Sequence, residues 1–413
     1  MEKPDERSGS RVVEQLLLPS IMFRKVSGFA LSEQLKSNGK FQQRSFRELS
    51  KLNGTICSSK ELEPHHENPF KADFFLQSYL KRILPSEVLN SITKDLERFG
   101  ERCITDILKL SQECEANPPY LERTNAWGRK VDNLVTCQAW KTQKEIVATE
   151  GLVAIPYEQV DGEYSRIYQM SKLMLYNPVS GLFWCPLAMT DAAAYTIKTK
   201  NMDLQNAFSR LTTRNPTKFW TSGQWMTEKN GGSDVRGGTE TVAYHQKDDQ
   251  YKLYGYKWFS SACDSDMTMA LGRIGSSSVE DTMRSSTVSM FYIETRRPNG
   301  NLNNVEITKL KNKLGTRQLP TAELVLDGTD ARLISSVGQG VSSISSMLTI
   351  SRLHNIAASV GYMRKITTLA RDFATRRKAF GKLISEHPLH IQTLAKMEVC
   401  LCDISTLPSK RNY

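Results

Sequence analysis

Apolar positions recur along this chain at two different periods, and the changes of period divide it into regions. From residue 71 to about 220 the spacing is helical. Leu76, Leu80, Ile83 and Leu84 share one face, Pro85-Ser86 opens a new turn, and Leu89, Ile92, Leu96, Phe99, Cys103 and Ile107 continue in steps of three and four. That spacing predicts one amphipathic helix over 89–107, ended by Asn117-Pro118-Pro119. Further apolar stretches lie at 146–155 and 192–197.

Between 221 and 333 the texture becomes strand-like. Thr241–His245 and Tyr251–Tyr256 flank a polar, hairpin-type connection, Gln246-Lys247-Asp248-Asp249-Gln250. Segments 267–274, 287–293, 305–310 and 323–326 are further short strands between Gly-, Ser- and Asn-rich turns. Six or seven such strands predict a small antiparallel barrel or sandwich.

From residue 334 the chain is helical again. Met347, Ile350, Leu353, Ile356, Val360, Met363, Ile366, Leu369 and Phe373 form one stripe, hence a helix of roughly 45 Å at 1.5 Å per residue. A stripe of that length needs partner helices, from a bundle or a second subunit. A second helix is predicted around Ile391–Cys402, and Pro388 argues against regular helix at His387-x-x-His390. The expected fold class is α+β: a basic segment (1–70), a helical domain (71–220), a central antiparallel β-barrel domain (221–333) and an incomplete C-terminal helical bundle (334–413).

Composition narrows the class of protein. With 413 residues, 39% hydrophobic and 24% charged, the chain reads as soluble and folded. No apolar run approaches the ~20 residues of a membrane span. Eight cysteines with no CxxC pair and no secretory signal predict reduced thiols in an intracellular protein. The six histidines show no metal-ligand spacing, so no metal is expected. The net charge of +11 sits at the ends: residues 1–60 carry +5, residues 351–413 carry +7, and the body is near neutral. That distribution disfavours a general nucleic-acid surface. The basic stretch from Met22 reads either as a flexible arm or as a mitochondrial targeting segment. The acids Glu2, Asp5, Glu6 and Glu14 ahead of it oppose targeting and leave the cytoplasm as the alternative.

Four segments carry candidate chemistry. Trp225-Met226-Thr227-Glu228-Lys229-Asn230-Gly231-Gly232-Ser233-Asp234-Val235 leads a strand into a Gly-Gly turn whose backbone N–H groups and hydroxyls can face an anion. Taken alone it also reads as a capped surface turn. It is neither a GxxxxGK[ST] phosphate loop nor a strand–GxGxxG–helix fingerprint. Gly255-Tyr256-Lys257-Trp258-Phe259-Ser260-Ser261 reads as an aromatic-rich strand, Leu314-Gly315-Thr316-Arg317 as a turn into a strand, and Arg376-Arg377-Lys378-Ala379-Phe380-Gly381-Lys382 as a basic helix terminus.

Together, in this order and spacing, the four segments resemble the acyl-CoA dehydrogenase family, with its TE-x-x-x-GSD loop, G-x-K-x-W-I-T-type strand, LG-x-R segment and R-K-x-FGK helix end. The resemblance covers about 75–402. The loop Met226–Val235 and Trp127-Gly128-Arg129-Lys130-Val131-Asp132 point to the adaptive-response (AidB-like) branch. It implies FAD as cofactor and acyl-CoA as substrate, with α,β-dehydrogenation as the reaction, in a homodimer or homotetramer. Met226 and Thr227 would contact the flavin ring and Ser233 its pyrophosphate or the acyl-CoA, with Trp225 and Gly232 also among the cofactor-binding residues. Phe259 stands where the family has tryptophan over the flavin, and Ser261 where it has the threonine that bonds flavin N5. Arg377 and Phe380 would reach the ADP part of a neighbouring subunit's flavin. The family's catalytic glutamate lies well beyond the R-K-x-FGK helix. Only 32 residues follow Gly381 here, and Glu386 and Glu398 come too early, so no catalytic base is assigned. Glu228 reads as a structural carboxylate. A non-catalytic or nucleic-acid-binding flavoprotein is the alternative reading.

Overall fold

The computed structural model describes residues 63–275 and 287–405. The basic arm through residue 62 and the polar tail 406–413 lie outside them, as does the targeting reading placed on that arm. Among the described residues no helix is long and apolar enough to cross a membrane.

The chain begins with helices α1 (Phe74–Ile83), α2 (Ser86–Ile104) and α3 (Asp106–Ala116). Asp73 caps α1 by accepting from the Leu76 N–H at 2.9 Å. The expected single helix over 89–107 breaks at Thr105 (φ −107, ψ −90). The Thr105 hydroxyl donates to the Glu101 carbonyl at 2.9 Å, a local bond that competes with helix continuation. A hairpin follows that the sequence reading missed: β1 (Tyr120–Thr124) and β2 (Lys130–Val135), antiparallel, with Gly128 at φ +75 in its turn. Then come α4 (Gln138–Thr149), α5 (Ser165–Tyr176), α6 (Trp184–Thr199) and α7 (Gln205–Leu211).

These helices enclose a core that includes Leu80, Ile92, Leu96, Phe99, Ile107, Val147, Leu173, Tyr176 and Leu187. A partly buried ion network, centred on the buried Lys172 and Glu150, borders it. Lys172 of α5 binds Asp95 of α2 (2.7 Å) and Glu150 at the end of α4 (2.8 Å), and Glu150 also takes Arg98 and Arg102. Burial alone would raise both carboxyls. Lys172 with Tyr168 and Arg98 at Asp95, and Arg98 with Lys172 and Arg102 at Glu150, reverse this and hold each at about 2.

The β region holds β3 (Ser222–Trp225), β4 (Val242–Lys247), β5 (Gln250–Ser261), β6 (Met267–Ile274), β7 (Ser289–Glu294), β8 (Val305–Leu310) and β9 (Thr321–Leu333). They form one seven-stranded sheet in the order β3-β6-β4-β5-β9-β7, with β8 on β9 and a further β6–β7 pairing. The sheet is mixed, which corrects the antiparallel expectation: β3 and β4 both run parallel to β6. The β4–β5 connection is a two-residue turn at Asp248-Asp249, because Lys247 and Gln250 pair in the ladder. Gly328 (φ +73) is the extra residue that lets β9 bulge where Leu253 pairs with Thr329 and Tyr254 with Asp327.

Helix α8 (Gly340–Arg376) finds its partners within the chain, packing on α6 and α5. Met347, Ile350, Leu353 and Val360 are buried, whereas Ile366 and Phe373 at its far end are exposed. Asp191 of α6 ties this junction. Its carboxylate accepts from Arg166 (2.6 Å), His354 of α8 (2.8 Å) and Tyr157 (2.6 Å), all of them buried or half-buried. A small ribbon, Lys378–Ala379 against Lys382–Leu383, leads to α9 (Pro388–Ser405). Pro388 opens that helix rather than preventing it, since a first-turn N–H has no helical acceptor to lose.

Candidate functional site

Strand β3 delivers the Gly-Gly loop. Trp225 at its end is 1% exposed and packs inside the sheet, while Met226 turns to the apolar layer between α6, β6 and α8. The Thr227 carbonyl accepts from the Trp258 N–H at 3.0 Å, which lays the loop along β5. Glu228 then enters the interior. Its carboxylate accepts from the Glu240 N–H (2.6 Å), the Thr241 N–H (3.1 Å), the Thr241 hydroxyl and the Lys257 ammonium. Lys257 also donates to the Leu271 carbonyl at 2.8 Å. Burial pulls the Lys257 ammonium below the usual lysine range, with Glu228 opposing that shift. The loop is thus fastened at its root by a buried ion pair, and Glu228 has no capacity left for proton abstraction.

The glycines divide the remaining work. A Cβ on Gly238 would stand 2.1 Å from the Gly231 Cα, so Gly231 and Gly238 are required by the loop's own backbone contact. Nothing lies within 4 Å of a Cβ built on Gly232, and Ser233 beside it is exposed. Asp234 accepts from the Gly237 N–H at 2.9 Å, a short-range cap.

On β5, Lys257 pairs with Leu324 and Ser260 with Ala322, a register shift of one residue. This bulge leaves Lys257 and Ser260 buried and turns Phe259 and Ser261 outward. Phe259 is 43% exposed. The Ser261 hydroxyl meets the Thr321 hydroxyl at 3.0 Å, and Thr321 accepts from Lys313 Nζ at 2.6 Å. If Ser261 donated inward, the buried Thr321 proton would face no acceptor. With Thr321 as donor, the Ser261 proton is free to point out of the strand. Burial lowers the Lys313 ammonium from the usual lysine range. Lys311 lies 3.3 Å from the centre of the Trp258 ring and bonds Glu323 at 2.6 Å.

Thr227, Phe259 and Ser261 therefore gather along β5, with Met226 next to them, Trp225 behind them and Gly232-Ser233 at the loop tip. Arg377 and Phe380 stand apart on the ribbon after α8. Phe380 is 97% exposed at φ +51, followed by Gly381 at φ +81. The sequence reading gave no role to Trp258 or Thr321 within their segments and passed over Lys311 and Lys313. The alternating lysines of 309–313 were the signal that could have marked them.

A flavin presents a planar apolar ring, a hydrogen-bonding edge and an anionic pyrophosphate. The half-exposed Phe259 ring, the outward Ser261 hydroxyl, the nearby lysines 229, 311 and 313, and the open space before Gly232 fit those three demands. Among the described residues no cluster of three or more His, Cys, Asp or Glu side chains could hold a metal.

Residues 60–215 match the adaptive response protein AidB N-terminal domain, 223–329 the acyl-CoA dehydrogenase middle domain, and 338–407 the acyl-CoA dehydrogenase C-terminal domain. The chain belongs to the acyl-CoA dehydrogenase family. It is 47% identical over 342 residues to acyl-CoA dehydrogenase family member 11 of Caenorhabditis elegans, covering 81% of this chain and 55% of that protein. Against AidB of Escherichia coli the identity is 27% over 317 residues, covering 74% of this chain and 57% of AidB. The chain thus spans little more than half the length of these relatives. Among solved structures, C. elegans ACDH-11 in complex with C11-CoA superposes with a TM-score of 0.80 at 46% identity, covering 84% of this chain and 59% of that one. The apo form of Bd2924 gives 0.79 at 40% identity, covering 84% and 70%.

Proposed function

We propose that this chain binds FAD and acyl-CoA and belongs to an oxidoreductase of the acyl-CoA dehydrogenase type. The observation that carries the reading is the bond from the Trp258 N–H to the Thr227 carbonyl, which sets the Gly-Gly loop beside Phe259 and Ser261. When bound, the flavin supplies a hydride acceptor for α,β-dehydrogenation of a thioester. The chain's own residues supply orientation. Phe259 would cover one face of the ring, Ser261 would donate to its edge, and Thr227 would contact it. Gly232 and Ser233 leave room and a hydroxyl for a phosphate-bearing group.

Arg377 and Phe380 act across a subunit contact in this reading, in a homodimer or homotetramer, with Arg377 as a planar donor to pyrophosphate. The return of the ladder from β7 to β6 supports a closed, barrel-like β domain over 221–333, between helical domains at 71–220 and 334–413. The C11-CoA bound by ACDH-11 supports a medium-length acyl group as the first substrate to test. No catalytic base is assigned: Glu228 is committed to Lys257 and Thr241. The basic arm remains a proposed mitochondrial targeting segment.

The test is reconstitution with FAD followed by anaerobic titration with a medium-chain acyl-CoA. A flavin spectrum that acyl-CoA shifts or bleaches supports the reading; bleaching adds that this chain holds a base. A flavin spectrum unmoved by saturating acyl-CoA removes the substrate assignment.

A further inference from the structure

Cys114 and Cys137 are free cysteines, and their side chains touch. Cys114, two residues from the end of α3, has its Sγ 4.0 Å from the Sγ of Cys137, the residue that precedes α4. The 22 residues between them contain the whole β1–β2 hairpin. We propose that Cys114 and Cys137 form an oxidisable dithiol, a modification site at which hydrogen peroxide closes a disulfide across the base of that hairpin.

The geometry favours closure. A disulfide needs about 2.05 Å between sulfurs, so the pair must approach by roughly 2 Å. Cys114 lies in the last turn of α3, and Cys137 is in extended conformation (φ −67, ψ 163) before α4 begins. Neither thiol is held by another side-chain hydrogen bond between described residues. The two sulfurs also differ in access. Cys137 is half-buried and Cys114 is 1% exposed, with burial pushing the Cys114 thiol well up. Peroxide therefore meets Cys137 first.

The chemistry balances. The Cys137 thiolate attacks one peroxide oxygen and the O–O bond breaks, giving a sulfenic acid and, with one proton, water. The Cys114 sulfur then attacks the Cys137 sulfur and displaces the hydroxyl, which leaves as a second water with the Cys114 proton. Two thiols lose two electrons and one peroxide gains them.

The cross-link bears on the candidate site. Three residues beyond Cys137, the Trp140 indole donates to Asp264 at 2.7 Å, and Lys144 pairs with Asp266 at 2.7 Å, just after Ser261. The hairpin itself reaches β8 through Lys130 and Glu306 at 2.8 Å. A disulfide at its base fixes both connections at once.

The experiment is peroxide treatment of the folded full chain, alkylation of remaining thiols, and non-reducing peptide mass spectrometry. The expected product is a 114–137 cross-linked peptide pair, two hydrogens lighter than the reduced pair and released by dithiothreitol. In C137S, Cys114 should remain alkylatable after the same treatment; C137A repeats this if the serine disturbs folding. Circular dichroism confirms that the treated chain keeps its helices. Both thiols still alkylated, or Cys137 carried to sulfinic acid without a cross-link, would overturn the proposal.

Discussion

The Lys257 ammonium and the Glu228 carboxylate form an ion pair with both side chains almost wholly out of solvent, at 0% and 2% exposure. The pair joins the root of the Gly-Gly loop to β5, so a buried charge pair adds to the apolar packing of Trp225 and Met226 in anchoring that loop. Removing one partner leaves the other a buried charge without its counter-charge, at a cost of about 3–5 kcal/mol. Both Glu228→Gln and Lys257→Met are therefore expected to destabilise strongly in chemical denaturation. Wild-type midpoints for both variants would mean the pair holds nothing in place.

Acid sensitivity follows from the Lys172 network. Asp95 and Glu150 lie at about 2 in the folded chain, below their ordinary values of 3.8 and 4.5. Depressed carboxyls contribute stability that is complete above pH ~4.5 and lost as pH falls toward ~2. Stability measured across that window should fall, and Lys172→Met should flatten much of the fall while lowering stability at neutral pH. An unchanged slope in the variant would remove Lys172 as its cause.

Lys313 reaches Ser261 through Thr321, so its removal should misorient a hydroxyl without emptying the core. Lys313→Met is expected to weaken FAD binding about tenfold, the scale of one charge-assisted hydrogen bond, with Lys313→Arg recovering part of the loss. Fluorescence titration reads this directly. Equal affinities in all three chains would leave Lys313 a purely structural residue.

Phe380 is 97% exposed and makes its contacts elsewhere than in the core. Phe380→Ala should leave stability within about 0.5 kcal/mol. Under the cross-subunit reading it should lower FAD affinity only at protein concentrations where the chain self-associates. A uniform loss at every concentration would place the aromatic ring against its own chain's flavin instead.

Much of this was legible in the residues, because period is a strong signal where one face is buried. The stripe Ile92, Leu96, Phe99 and Cys103 and the strands at 267–274 and 305–310 fold as their spacing indicates. Thr105 was not legible: its hydroxyl-to-carbonyl bond ends a helix whose apolar period continues unbroken. Nor was the parallel pairing of β3 and β4 with β6, since strand direction is set by connections rather than by alternation. At the site, the order of motifs pointed to Thr227, Phe259 and Ser261. The outward turn of Phe259 depends on a β-bulge, and the approach of Lys313 to Thr321 depends on tertiary pairing of β5 with β9. The Gly-Gly turn suggests a backbone that can face an anion. Gly232 fits that, whereas Gly231 is needed for its contact with Gly238.

The central claim is that the face shared by Thr227, Phe259 and Ser261 holds a flavin. Its most direct test is quenching of free FAD fluorescence by the purified chain, compared between wild type and a Phe259→Ala/Ser261→Ala double variant. The account predicts saturable quenching by the wild type and an affinity at least tenfold weaker in the double variant. Equal quenching by both chains would contradict it, because the flavin would then be bound somewhere other than on this face.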